Sequence, residues 1–121
     1  MNIVLASVDC LRHDTFDHRF YERLKSAGSY YDTCITQAAF TSPSHTSMLS
    51  GLNPFNHGVR WLIDYETDAT LLPEILSEEG FNTVGFTGGY PLPTGNIPDA
   101  YDEFHHITAM EDRVERRCKE F

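Results

Sequence analysis

The sequence predicts an α/β fold in which helices flank a mostly parallel sheet. Short runs rich in β-branched and aromatic residues alternate with segments whose apolar residues recur at helical spacing. The first run, Asn2–Val8, lacks polar alternation, which is typical of a strand buried on both faces of a parallel sheet. With 121 residues, 40% of them hydrophobic and 22% charged, the chain is long enough for one globular domain with a core.

The first half of the chain contains two predicted strands and one predicted helix. The strand at Asn2–Val8 stops at Asp9, and a helix capped by Asp17 extends to about Ala27, where Gly28 ends it. The segment SYYDTCIT, residues 29–36, is rich in aromatic and β-branched residues, so we expect a second strand there.

The second half continues the alternation of helix and strand. Proline near a helix start and glycine after its end mark the two expected helices. The elements in order are a helix from about Ser44 to Ser50 stopped by Gly51, a helix opened near Thr70 with Pro73 in its first turn and Gly80 at its end, a third strand at 81–87, a long loop at 88–104 and a charged helix at 111–121.

The predicted sheet is narrow, and the last helix ends at Phe121 without a cap or a closing strand. We therefore expect residues 1–121 to be either a single α/β domain or the N-terminal fragment of a larger one.

The formal net charge of −9 argues against nucleic-acid binding, although a bound divalent cation would still admit an anionic substrate. Three cysteines without C-x-x-C spacing indicate reduced thiols, and no apolar run approaches the roughly 20 residues that span a bilayer, so we expect a cytoplasmic protein.

Two places on the chain carry candidate chemistry. Asp9 follows an apolar strand, where a carboxylate either binds a hard divalent cation or caps a turn. The hydroxyl-rich stretch Phe40–Val59 leads into a short helix, so that Thr41 or Ser42 would lie just ahead of the first-turn amides, with Ser44 or Thr46 able to cap. Those amides favour an anion, and a hydroxyl beside a metal can become a nucleophile. A plain N-cap explains the same residues equally well.

The segments NIVLASVDCLRHD and TSPSHTSMLSGLNPFNHGV together resemble the N-terminal part of the sulfatase-like branch of the alkaline phosphatase superfamily. EEGFNTVGFTG and DAYDEF resemble later segments of that branch, so the likeness covers nearly the whole chain. The resemblance implies an alkaline phosphatase-like fold and metal-dependent hydrolysis of small sulfate or phosphate esters. The matching residues, in order, are Asp9, Leu11, Arg12, Thr41, Pro43, Ser44, His45, Gly51, Pro54, His57, Gly58 and Val59.

The resemblance also implies roles for individual residues. Asp9 and Thr41 would bind the divalent metal (Mg, Mn, Ca or Zn), and Thr41 would be the catalytic nucleophile. Ser42, Ser44 and His45 would contact the substrate. Threonine cannot be converted to the formylglycine of many sulfatases, so Thr41 would act as an alkoxide, and the ester could be phosphate.

Several features depart from the family pattern. Cys10 stands where many sulfatases have a second acidic ligand, and the segment FTGGYPL lacks the usual Lys and His that contact sulfate. The family takes further metal ligands from far downstream, and Asp9 with Thr41 alone cannot complete the shell of a hard ion. We therefore expect the isolated chain to be incomplete and inactive.

Other polar residues are expected to have structural roles and not catalytic ones. We expect His57 to stabilise a turn, His105 and His106 to be structural or solvent-facing, and Arg12 to pair with Asp14.

The alternatives to a hydrolase are a truncated homologue without catalysis and a receiver-like binding module. An uncovered sheet edge would favour a homodimer.

Overall fold

The computed structural model describes residues 1–12, 18–31, 33–61, 66–88 and 95–107. It is a small α/β fold with a few helices and a two-stranded parallel sheet in its described residues. The contacts of the chain divide it into two compact units, Met1–Ile35 and Thr36–Phe121.

The first unit contains the helix α1, His18–Ala27, which ends directly before Gly28 as the sequence predicts. The two strands predicted here are wrong, because neither residues 1–12 nor the described part of 29–36 is assigned to a strand. A strand requires a hydrogen-bonded neighbour, and apolar sequence alone does not supply one. The side chains of Ile3, Val4 and Leu5 are instead exposed.

The second unit begins its regular structure with α2, Thr41–Ser50. Helix α2 packs against both α3, Pro54–His57, and α4, Leu72–Glu78. Gly51 ends α2 in the left-handed conformation at φ 70°, and its N–H donates to the Ser47 carbonyl at 2.9 Å. A glycine is favoured there because left-handed φ costs other residues energy.

The short helices α3 and α4 are held at their starts by side chains. The Asn53 side-chain oxygen accepts from the N–H groups of Phe55 and Asn56, at 3.1 and 3.2 Å. Glu74 reaches back to accept the Leu71 N–H at 2.6 Å, which satisfies an amide at the start of α4. The helix predicted near Thr70 is thereby confirmed, with its first residue at Leu72.

The sheet pairs β1, Val84–Thr87, with β2, Glu103–His106, in parallel. Strand β1 was predicted, whereas β2 falls partly in the segment predicted as a loop. Gly85 lies opposite Phe104 in the register, and a side chain on Gly85 would collide with the Phe104 ring. The close approach of ring and backbone therefore requires glycine at this position.

The apolar core of the second unit gathers residues from helices and loops. Its buried members are Leu49, Leu71, Ile97 and Ala100, and Tyr101 packs against them. Ala100 belongs to a 3-10 turn, Pro98–Ala100, that leads into β2. No helix among the described residues is long and apolar enough to cross a membrane. The helix predicted at 111–121 lies outside the described residues.

Candidate functional site

Helix α2 begins at Thr41, three residues before the predicted start at Ser44. Phe40 precedes it in extended conformation (φ −117°, ψ 150°), and the Ser44 N–H donates to the Phe40 carbonyl at 3.2 Å. Pro43 is accommodated because the first turn of a helix does not need its N–H. Ser44 and Thr46 therefore lie inside the helix and do not cap it.

The start of α2 lacks the usual side-chain cap. The capping position is held by Phe40, whose side chain makes no capping hydrogen bond. Serine, threonine, aspartate or asparagine normally supply an oxygen there for the first-turn amides. Because the helix dipole places partial positive charge at the same end, the start of α2 is electrostatically suited to an anion.

Ser42 has an unusual environment for a hydroxyl. Its side chain is 2% exposed, and its Oγ atom is buried without a hydrogen-bond partner in the structure. A substrate that contacts this hydroxyl, as the sequence predicts, would have to displace the atoms that cover it. A buried polar atom left unpaired costs about 1–3 kcal/mol, so the start of α2 carries local destabilisation.

Ser44 ties α2 to the segment before it. Its Oγ lies 2.7 Å from the Oγ1 of Thr36, which itself donates to the Ala38 carbonyl at 2.9 Å. Since the single proton of Thr36 is used in that second bond, Ser44 donates to Thr36. The predicted substrate contact of Ser44 would therefore compete with an existing hydrogen bond.

His45 and Thr41 lie on one face of α2, four residues apart, and both are half-buried. The His45 Nδ1 atom is 2.9 Å from the Thr41 carbonyl. A carbonyl can only accept, so Nδ1 carries the proton, and in the neutral ring Nε2 carries the lone pair. The ring is thereby fixed in orientation next to the residue that the sequence predicts as nucleophile.

His57 connects α2 with the turn after α3. Its side chain is 3% exposed, and the Val59 N–H donates to its Nδ1 atom at 3.2 Å. The ring Nε2 atom lies 2.9 Å from the Ser47 Oγ, and the His57 carbonyl accepts from the Thr67 hydroxyl at 2.6 Å. These bonds confirm the prediction that His57 stabilises a turn.

The Ser47–His57 pair resembles a nucleophile with its base, but the protons are placed the other way. Because Nδ1 accepts from Val59, the proton of the neutral ring is on Nε2 and is donated to Ser47. A general base would need a lone pair at that nitrogen. Burial is the main cause of a lowered pKa of His57, and although the nearby His57 and Pro43 carbonyls would favour the protonated ring, the net direction favours the neutral one.

Asp9 belongs to the first unit, where it lies in an exposed turn. The Leu11 N–H is 3.4 Å from the Val8 carbonyl across this turn, and Cys10 has a left-handed φ of 57°. Such a φ is uncommon for a residue with a side chain and stores local strain. Sequence reasoning did not anticipate this conformation after the predicted metal ligand.

The metal-binding prediction has a limited set of donors. The Asp9 carboxylate and the Thr41 hydroxyl are the oxygen type that Mg²⁺, Ca²⁺ and Mn²⁺ prefer. Two residues do not fill a shell of six or more oxygens, and the described residues contain no group of three or more His, Cys, Asp or Glu that could hold a metal. The described residues therefore do not by themselves fit a divalent ion.

Of the remaining predicted polar residues, His105 makes structural contacts and His106 is exposed. The His105 Nε2 atom is 3.5 Å from the Glu103 carboxylate, and its ring stacks on Phe86 with centroids 5.1 Å apart. These contacts agree with the structural role expected for His105. The pairing of Arg12 with Asp14 lies outside the described residues, because Asp14 is not among them.

An aromatic pair beside α2 was missed by sequence reasoning. The rings of Phe40 and Trp61 meet edge to face, with centroids 5.0 Å apart and planes inclined at 66°. Trp61 lies 20 positions after Thr41 in a turn-rich segment, so no periodicity links the two rings in sequence. The pair adjoins the first residue of α2 because Phe40 directly precedes Thr41.

Neither a protein-family model, a curated protein nor a solved structure matches this chain.

Proposed function

We propose that the chain is the N-terminal part of a sulfatase-like hydrolase with an alkaline phosphatase-like fold, acting on small sulfate or phosphate esters with Thr41 as nucleophile. The strongest support for Thr41 as nucleophile is its position at the start of α2. Thr41 is the first residue of a ten-residue helix whose capping position offers no side-chain oxygen. The hydroxyl predicted to attack is thus next to the helix end that best accommodates the anionic group under attack.

The proposed reaction proceeds in two displacements at sulfur or phosphorus. The Thr41 Oγ atom forms a bond to the central atom while the bond to the ester oxygen breaks, and the alcohol leaves with a proton. Water then cleaves the bond to Thr41, which releases sulfate or phosphate and restores the hydroxyl. The first-turn amides and the helix dipole would stabilise the negative charge of the transferred group.

A divalent metal ion is part of the proposal through the resemblance, with Asp9 and Thr41 as its ligands in this chain. Bound metal would supply charge neutralisation and lower the pKa of the hydroxyl. Because the described residues do not complete a metal shell, no step above depends on the ion. The metal requirement is tested by comparing turnover with and without added Mg²⁺, Mn²⁺, Ca²⁺ or Zn²⁺.

The test of the nucleophile compares Thr41→Val with Thr41→Ser in the protein expressed from its complete gene. Valine keeps the shape of threonine without the hydroxyl, and serine keeps the hydroxyl without the methyl group. We expect Thr41→Val to lower kcat by roughly 10³-fold or more, because removal of a nucleophile has effects of this order. Thr41→Ser should retain measurable turnover of aryl sulfate, phosphate monoester or phosphodiester substrates.

Equal activity of Thr41→Val and the unsubstituted protein would rule out Thr41 as the nucleophile. The hydroxyls of this segment would then serve the helix alone. No turnover of any ester by the unsubstituted protein, with any of the four metals, would favour the non-catalytic homologue or the receiver-like binding module.

The remaining parts of the proposal concern location and assembly. We propose a cytoplasmic protein, supported by three cysteines without C-x-x-C spacing, of which Cys10 and Cys34 are free and exposed. The proposed partner is the small ester itself, without nucleic acid or membrane. A homodimer through an uncovered sheet edge stays a prediction.

A further inference from the structure

We propose that protonation of His57 releases the turn that follows α3, residues 57–61, while the helices stay folded. The effector of this switch is the proton itself, and the element with two states is the turn. Release of the turn does not depend on any hydrolysis at Thr41.

The His57 ring fits its surroundings only in the neutral form. Its Nδ1 atom accepts the Val59 N–H at 3.2 Å, and its Nε2 atom donates to the Ser47 Oγ at 2.9 Å. A protonated imidazole carries a hydrogen on both nitrogens and has no acceptor left. Protonation therefore brings two N–H groups face to face at Nδ1, which breaks the bond to Val59.

The groups around the ring do not offset the charge of a protonated His57. Helix α2 faces it with the Ser47 hydroxyl and the Pro43 carbonyl, and the Thr67 hydroxyl donates to the His57 carbonyl at 2.6 Å. Burial is the main cause of the lowered pKa of His57, and it outweighs the two carbonyls that favour the protonated ring. Among the described residues, no charged side chain is a cause of this shift. The ring therefore gains a proton more readily once the turn has moved it into water.

The turn has a hinge next to the bond that protonation breaks. Gly58 directly follows His57 with a left-handed φ of 86°, a conformation that glycine adopts without strain. On the far side of this glycine, the Val59 side chain is 1% exposed, whereas Arg60 and Trp61 are exposed. Loss of the Val59 bond thus removes an anchor between a flexible residue and an exposed segment.

Movement of the turn changes an aromatic contact at the start of α2. Trp61 is the last residue of the turn, and its ring meets that of Phe40 edge to face with centroids 5.0 Å apart. Phe40 is the residue directly before Thr41. Because Trp61 is the single tryptophan of the sequence, its emission reports the state of the turn.

The release occurs at a pH below 6.5, the pKa of an ordinary histidine. In the open turn the ring titrates as an exposed histidine, and each tenfold preference for the closed, neutral turn lowers the midpoint of release by about one pH unit. The turn is therefore closed at about pH 8 and opens during acidification.

The first test follows Trp61 emission from about pH 8 to about pH 4, with far-UV circular dichroism recorded in parallel. We expect one reversible step in emission below pH 6.5, before the helical signal is lost. His57→Gln should remove the step, whereas His106→Gln, at an exposed histidine, should retain it. His45→Gln should retain it as well, and this variant separates release of the turn from direct quenching of the indole by the histidine of α2.

The second test needs no substitution and measures hydrogen exchange at single amides over the same pH range. The protection factor of the Val59 N–H should fall by about fivefold or more on acidification, the factor that corresponds to one lost hydrogen bond. The Gly51 N–H, which donates to the Ser47 carbonyl at 2.9 Å, is the matched control and should keep its protection.

Three results would overturn the switch. An emission step that persists in His57→Gln, or that disappears in His45→Gln, would assign the step to another group. Loss of the helical signal together with the emission step would show global unfolding and not release of the turn. Constant protection of the Val59 N–H throughout the titration would also overturn the switch, whether or not the His57 variant folds.

Discussion

Two neighbouring hydroxyl residues at the start of α2 have different surroundings. Thr41 is half-buried, whereas Ser42 is buried with its Oγ atom unpaired. Further along the helix, the buried Thr46 hydroxyl donates to the Ser42 carbonyl at 2.8 Å. Buried hydroxyls are usually paired, so the Ser42 side chain is the exception in this helix.

The unpaired hydroxyl leads to a stability prediction. We expect Ser42→Ala to raise the free energy of unfolding by about 1 kcal/mol, because alanine removes a buried polar atom without removing a hydrogen bond. Alanine also has the higher helix propensity, which acts in the same direction. Urea denaturation followed by circular dichroism measures the change.

The control for this substitution is Ser50→Ala, in the same helix. The Ser50 hydroxyl donates to the Thr46 carbonyl at 2.6 Å, so alanine there gains the same propensity but loses a bond. Ser50→Ala should therefore stabilise less than Ser42→Ala, or destabilise. A loss of stability in Ser42→Ala as large as in Ser50→Ala would mean that the Ser42 hydroxyl has a partner.

At the scale of the elements, Asp102 joins α4, β1 and β2. Its carboxylate accepts the Thr83 N–H at 2.7 Å, the Thr83 hydroxyl at 2.9 Å and the Ser77 hydroxyl at 2.9 Å. The Asp102 N–H donates in return to the Thr83 hydroxyl at 3.0 Å. The bond from the Thr83 amide is the main cause of a lowered pKa of Asp102, and the two hydroxyls add to it.

We expect Asp102→Asn to lower the urea midpoint of unfolding. Asparagine keeps one side-chain oxygen for the Thr83 N–H and hydroxyl but carries no charge, so these bonds become weaker neutral ones, and the Ser77 hydroxyl would have to accept from the NH₂ group instead of donating. Asp99→Asn, on the preceding 3-10 turn, is the matched control and should leave the midpoint nearly unchanged. If the two variants unfold at the same urea concentration, the carboxylate does not hold these elements together.

The sequence predicted the elements with local end signals and missed those that depend on distant partners. Helices α1 and α2 end before glycine, and α4 carries proline in its first turn, all of which can be recognised locally. Strand β2 has the sequence EFHH, which lacks an apolar run, and it exists because it pairs with β1. The apolar segment Asn2–Val8 is the converse case, in which strand-like sequence is not assigned to a strand.

The residues of the candidate site stay a prediction, and the geometry around them could not be predicted from the sequence. Thr41 and His45 could be named from the motif. The predicted start of α2 at Ser44 differs from the observed start at Thr41, because Phe40 has no capping side chain and so gives no recognisable signal for a helix start. The Phe40–Trp61 contact depends on how the chain returns after α3, which no local pattern encodes. The proton of the neutral His57 ring is on Nε2, facing Ser47, because Nδ1 accepts the Val59 N–H, and no local pattern predicts this either.

For the whole molecule, the pH dependence of stability contains a contribution from His57. The formal net charge is −9, so acidification also relieves repulsion between carboxylates and obscures any single group. The His57 contribution is therefore best isolated as a difference between the protein and a His57 variant. The two groups hydrogen-bonded to its ring, the Ser47 hydroxyl and the Val59 backbone N–H, do not titrate in this range.

The sign of that contribution follows from the lowered pKa of His57. Below pH 6.5, the pKa of an ordinary histidine, the His57 ring takes up a proton in the unfolded chain but stays neutral in the folded one. The contribution of the neutral ring to the free energy of unfolding is therefore fully present above pH 6.5 and is lost as the pH falls toward the folded pKa. At about pH 8 we expect His57→Gln to lower the free energy of unfolding by about 1–3 kcal/mol, through unpaired Ser47 and Val59 groups. From about pH 8 to about pH 5, across the range where histidine titrates, the difference between the two proteins should shrink.

His106 is exposed, so His106→Gln is the control, and its stability should follow that of the unsubstituted protein throughout. A difference between His57→Gln and the unsubstituted protein that is constant with pH would show that His57 titrates alike in both states, and that its buried contacts do not exclude the proton.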